Sequence, residues 1–114
     1  MFSACDLFKT IDPKFQGKWE VTSAKFEGTE YTLPGTVKGI YMDLGYLIDD
    51  TTIFLYNDDV LMTKYEGLYT DGNDFFNMSG SVGASMKVNG NTAEFKTVGE
   101  TDYLKKVSKF RWEN

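Results

Sequence analysis

The feature that most constrains the fold of this chain is its alternation of apolar and polar residues in short runs, cut at regular intervals by glycine, asparagine and aspartate. Ala84, Met86 and Val88 alternate with Ser85 and Lys87, a period of two that puts the apolar side chains on one face of a strand. Thr52 to Tyr56 and Phe75 to Met78 are short runs rich in β-branched and aromatic residues, and Val60 to Tyr69 is a longer one with Gly67 as a bend. Between the runs stand Glu27-Gly28, Asn57-Asp58-Asp59, Asp71-Gly72-Asn73, Asn89-Gly90-Asn91 and Gly99-Glu100, all with turn chemistry. Asn89-Gly90 predicts a tight hairpin between strands at 84–88 and 92–98. The whole pattern predicts eight strands, at 17–27, 37–44, 51–57, 60–69, 74–79, 84–88, 92–98 and 101–112. With nearly every connection hairpin-short, the expected fold is all-β: a single eight-stranded antiparallel up-and-down meander closed as a β-barrel. Tyr31 to Asp50, interrupted by Pro34, Gly35, Gly39 and Gly45, reads either as an irregular edge strand or as a lid whose rim is Tyr31, Leu33, Ile40, Tyr41, Tyr46 and Leu47.

At 114 residues there is room for one core, expected over 15–114, with 1–14 as an N-terminal tether. A single cysteine, Cys5, rules out an intramolecular disulfide, so the core must hold the fold by itself. The net charge of −5 disfavours phosphate backbones, and the basic residues Lys105, Lys106, Lys109 and Arg111 divide between the two faces of a strand. Nucleic acid is therefore not an expected partner. No apolar run approaches the ~20 residues of a membrane-spanning helix.

Several kinds of chemistry are missing. Without histidine the chain has no Ser-His-Asp or Cys-His site and lacks the commonest zinc and copper ligand. Asp49-Asp50 and Asp58-Asp59 are adjacent pairs that read as solvated turn residues and not as an acid–base couple. Asp71 to Asp74 lacks the oxygen spacing of a calcium loop, and Gly80 to Ser85 lacks the following lysine and helix of a phosphate loop. The expectation is a non-catalytic protein with no catalytic residues, metal ligands or cofactor.

Two short motifs carry a family resemblance. The first expected strand opens Phe15-Gln16-Gly17-Lys18-Trp19-Glu20-Val21 and the last closes Val107-Ser108-Lys109-Phe110-Arg111-Trp112, a pattern similar to that of lipocalin-type calycins. That resemblance implies a meandering barrel in which Gly17 and Trp19 form the floor, with Lys109 or Arg111 stacked on the indole by a cation–π contact. The chain is shorter than typical lipocalins and has no clear C-terminal helix, which brings it nearer the small lipocalin-like lipoproteins of bacteria. The second motif, Phe2-Ser3-Ala4-Cys5, resembles the lipobox of bacterial lipoproteins. It implies lipid attachment at Cys5, a signal peptide upstream, and a protein anchored in the bacterial cell envelope, periplasmic or at the surface.

Two functions follow from these observations. In the first, a monomeric barrel binds a small apolar or amphipathic ligand, with Tyr31, Tyr41, Tyr46, Tyr56 and Tyr65 as the ligand-binding residues. In the second, a filled barrel is a scaffold for a protein partner, as in protease or lysozyme inhibitors, and its acidic charge suits a basic partner. An eight-stranded barrel is just wide enough either to be packed solid or to hold one small ligand, so the state of the interior separates the two.

Overall fold

The computed structural model describes residues 9–113. The lipobox-like run Phe2 to Cys5, and with it lipid attachment at Cys5, lies outside the described residues. A single 3-10 turn, Pro13–Phe15, precedes the strands β1 (Gly17–Phe26), β2 (Thr29–Thr32), β3 (Gly35–Val37), β4 (Ile40–Met42), β5 (Leu44–Ile48) and β6 (Ile53–Asn57). They are followed by β7 (Val60–Tyr65), β8 (Tyr69–Asp71), β9 (Asp74–Asn77), β10 (Gly80–Asn89), β11 (Thr92–Thr97) and β12 (Glu100–Val107).

The fold is all-β. One antiparallel sheet runs β7-β6-β5-β1-β12-β11-β10-β9-β8 and curls on itself, while β2 pairs beside the upper half of β1 and β3–β4 form a separate small sheet. The first long strand pairs with the last, so hydrogen bonding runs unbroken through the centre of the curl. Its two free edges, β7 and β8, are consecutive in the chain yet unpaired. Leu68 explains the break: it is buried at 4% exposure and its amide donates to the Thr51 carbonyl at 2.8 Å, which pulls the chain off the strand path just after Gly67.

Most predicted strands are present, with four corrections of extent. The expected strand at 37–44 is instead the β3–β4 hairpin, and the strand that pairs with β1 is β5, starting at Leu44. The run 60–69 is split into β7 and β8, and β10 begins at Gly80, earlier than expected. The last strand stops at Val107, after which the chain turns back over the sheet. The predicted hairpin at Asn89 forms, but with Gly90-Asn91 as the loop, because Asn89 pairs directly with Thr92.

The core fills the lower half of the curl. Ile11, Phe15, Trp19, Val21, Phe75, Met86 and Leu104 are all essentially inaccessible to water. Residues 10–12 are tied to the sheet, with the Ile11 amide donating to the Asp50 carbonyl and the Asp12 amide to Thr70 Oγ1. A bulge in β1 between Val21 and Ser23 shifts the strand's phase, so that Val21 and Ala24 both point inward although three positions apart. Phe26 thereby faces the upper interior, where it packs against Tyr31 with ring centroids 5.9 Å apart.

Candidate functional site

Above this packed half the interior is open, forming a cavity of about 900 Å³ that reaches solvent at the upper end. Its origin lies in side-chain volume. Where β10 crosses the upper half it presents Gly83 and Ala84, and β11 presents Thr97, so small residues face a wall of larger ones and the space between stays unfilled. That wall is Phe26, Leu44, Ile53, Leu55, Leu68, Phe75 and Phe95. Met62, Tyr65 and Val98 stand at the mouth, each more than half exposed. An apolar hollow of this size with few polar groups is the usual form of a small-molecule site.

The polar groups of the wall are unevenly placed. Asn57 Oδ1 accepts from the Asp43 amide, Asn77 Oδ1 accepts from the Ser79 amide, and Lys64 is paired with Glu66 at 2.9 Å. What is left is a cluster at the base built by β5 and β12. Tyr46 on β5 and Glu100 on β12 line the cavity, and Asp102, one inward position below Glu100, is 1% exposed. The Tyr46 hydroxyl donates to Asp102 Oδ2 at 2.5 Å, whereas Asp102 Oδ1 is buried with no hydrogen-bond partner. Burial pushes the Asp102 carboxyl up to about 8, and its hydrogen-bonding contact with Glu100 pushes the same way, while the Tyr46 hydroxyl partly opposes them. Burial, and then the charge of Asp102, hold the Tyr46 hydroxyl well above its ordinary value, so it stays a donor.

Gly17 and Trp19 lie at the lower end of β1, and the cation beside the indole is neither Lys109 nor Arg111. Lys106, directly opposite Trp19 on β12, holds its ammonium 5.4 Å from the indole centroid, and the Trp19 Nε1–H donates to the Phe15 carbonyl at 2.9 Å. Gly17 has φ of +126°, and a Cβ there would lie 2.9 Å from Lys106 Cε, in the path of that side chain. Arg111 is engaged elsewhere: its guanidinium bonds Asp43 Oδ1 at 2.5 Å and approaches Glu20 Oε1 at 3.4 Å, and its amide bonds Glu20 Oε2. Lys109 is exposed.

The five tyrosines expected from the sequence to meet a ligand also divide. Tyr46 and Tyr65 line the cavity. Tyr31 lies on β2 against Phe26, and Tyr41 is 57% exposed on β4. Tyr56 is on the outer face of β6, packed against Phe110 and Trp112 at 5.9 and 6.4 Å. Residues 108–113 form a strap over this outer face, where Gly45 leaves room for Phe110 and Trp112. Sequence reasoning missed Glu100 and Asp102, because an alternating run beginning Glu100-Thr101-Asp102 looks like a solvated strand until its inward parity is known.

No protein-family model matches this chain, and comparison with curated proteins and with solved structures likewise finds no match.

Proposed function

We propose that this protein is a non-catalytic, lipocalin-like carrier that holds one small apolar or amphipathic molecule in the upper interior of its curled sheet. The observation that carries this reading is the cavity of about 900 Å³, apolar on most of its wall and provided with a single buried polar cluster at its base. The Gly17-x-Trp19 floor and the pairing of first and last strands support the family resemblance. Lipid attachment at Cys5 and a place in the bacterial envelope belong to the same proposal, resting on the sequence motif alone.

A neutral fluorescent probe, N-phenyl-1-naphthylamine, tests the carrier reading. We expect saturable emission enhancement at one site per chain, displaced by other apolar molecules. Absence of saturable binding would defeat it. The second reading, a protein-binding scaffold, is favoured by the exposed apolar residues Val60, Leu61, Met62 and Tyr65 along the free edge strand β7. It becomes the better one if the probe does not bind.

A further inference from the structure

We propose that the molecule held in the cavity is a cationic amphiphile: an amine whose apolar body fills the upper interior and whose ammonium group sits at the base beside Glu100 and Tyr46, above the buried Asp102. This inference rests on the carrier reading above and specifies the ligand's chemical class.

The case begins with what the base lacks. Asp102 Oδ1 is buried without a hydrogen-bond donor, and the nearest acidic group, Glu100, brings a second carboxyl to the same place. Among the described residues no cation faces the pair. On the neighbouring strands Asp102 is flanked by Ala24 on β1 and Phe95 on β11, both apolar. Facing it from β5 is the Tyr46 hydroxyl, and Tyr65 on β7 lies close enough to act electrostatically on Tyr46. The lysine of the wall, Lys64, is more than half exposed and already paired with Glu66. Two carboxyl groups in an apolar hollow without a counter-charge repel an anionic head group and offer a neutral one few donors to accept from. An ammonium supplies the missing charge together with three N–H donors: it can bond Glu100 on the cavity wall and brings its charge next to the buried Asp102 carboxyl.

The empty and occupied states differ by one exchange. In the empty cavity burial, and after it the neighbouring Glu100, push the Asp102 carboxyl up to about 8, so that it is mostly protonated at pH 7. An alkylammonium arrives already protonated, since amines of this type resemble lysine with a pKa near 10. Its charge stabilises the Asp102 carboxylate, and the carboxyl proton leaves to solvent. No bond other than this O–H is broken.

The test is displacement of N-phenyl-1-naphthylamine at pH 7 by decylamine, decanol and decanoate, which share an apolar body and differ in head-group charge. We expect decylamine to displace the probe at about tenfold lower concentration than decanol, or less, with decanoate weakest. Calorimetry of decylamine binding in buffers of different ionisation enthalpy should show net proton release. The double variant Asp102→Asn, Glu100→Gln should keep probe binding and lose both the amine preference and the proton release. The variant Asp58→Asn, Asp59→Asn, which likewise replaces two carboxyl groups but in an exposed turn, should keep both. If the probe binds but decylamine does no better than decanol, the amine inference falls while the carrier reading stands. The inference also falls if the turn variant loses the preference as fully as the base variant, because the amine would then be responding to net charge alone. If the probe does not bind at all, both fall.

Discussion

Asp102 is the residue at which solvation and function pull in opposite directions. Its folded-state pKa of about 8 lies above its ordinary value of 3.8, so between those values the folded chain binds more protons than the unfolded one. The contribution of this residue to stability is therefore greatest at acid pH and falls as pH rises through this window, with a ceiling on the loss of about 4 kcal/mol at pH 7. Asp102→Asn keeps the shape, accepts from Tyr46 through its amide oxygen and can donate toward Glu100 without ionising. We expect the urea midpoint of the variant relative to wild type to rise steadily from pH 5 to pH 8.5. A constant difference across that range would show that Asp102 titrates normally.

The element with the clearest mechanical role is the strap formed by residues 108–113. Glu20, Gly45 and Tyr56 form a row across β1, β5 and β6 on the outer face, and Phe110 and Trp112, stacked at 4.7 Å, lie directly on it. Arg111 neutralises the buried carboxylates of Glu20 and Asp43, and Lys18 pairs with Glu113 at 2.8 Å near the end of the strap. That pairing, ahead of all other causes, holds the Glu113 carboxyl below its ordinary range. Gly45 is required because a Cβ there would lie 2.7 Å from Phe110 Cε1. We predict that Gly45→Ala lifts the strap while leaving the sheet folded. Trypsin should then cleave after Lys109 and Arg111 several-fold faster than in wild type, without a matching loss of β-sheet circular dichroism. Unchanged cleavage would mean that the strap is held mainly by its ionic contacts.

On the scale of the whole molecule, the interior divides into a packed lower half and an open upper half, and the proposed binding belongs to the second. An aromatic chain, Phe15–Phe75–Phe95–Tyr46, runs from floor to cavity with centroid spacings of 5.6, 5.8 and 5.2 Å, so the two halves share a boundary. Filling the upper half should block the ligand without disturbing the core below. Ala84→Phe places an aromatic ring in the cavity from the β10 wall, and we expect at least a tenfold loss of probe affinity with an unchanged or higher urea midpoint. If the midpoint falls together with affinity, the upper half is part of the structural core and not a site.

The amino-acid sequence by itself determined the all-β class and most strand positions, because side-chain alternation and turn chemistry act locally, within a few residues. It marked Gly67 as a bulge or bend within one strand, where the chain in fact leaves the strand path between β7 and β8. What it left undecided depended on which distant strands pair and with what phase. The bulge at Val21 to Ser23 directs Phe26 inward, and pairing with β1 and β11 sets the inward face of β12 on which Glu100, Asp102 and Leu104 lie. Lys106, not Arg111 or Lys109, reaches Trp19 because β12 ends at Val107, and the residues beyond it fold onto the outer face. Whether the interior was filled or hollow was likewise decided in three dimensions: a cavity forms only where small residues from separate strands meet opposite one another, and no local run of sequence contains that coincidence.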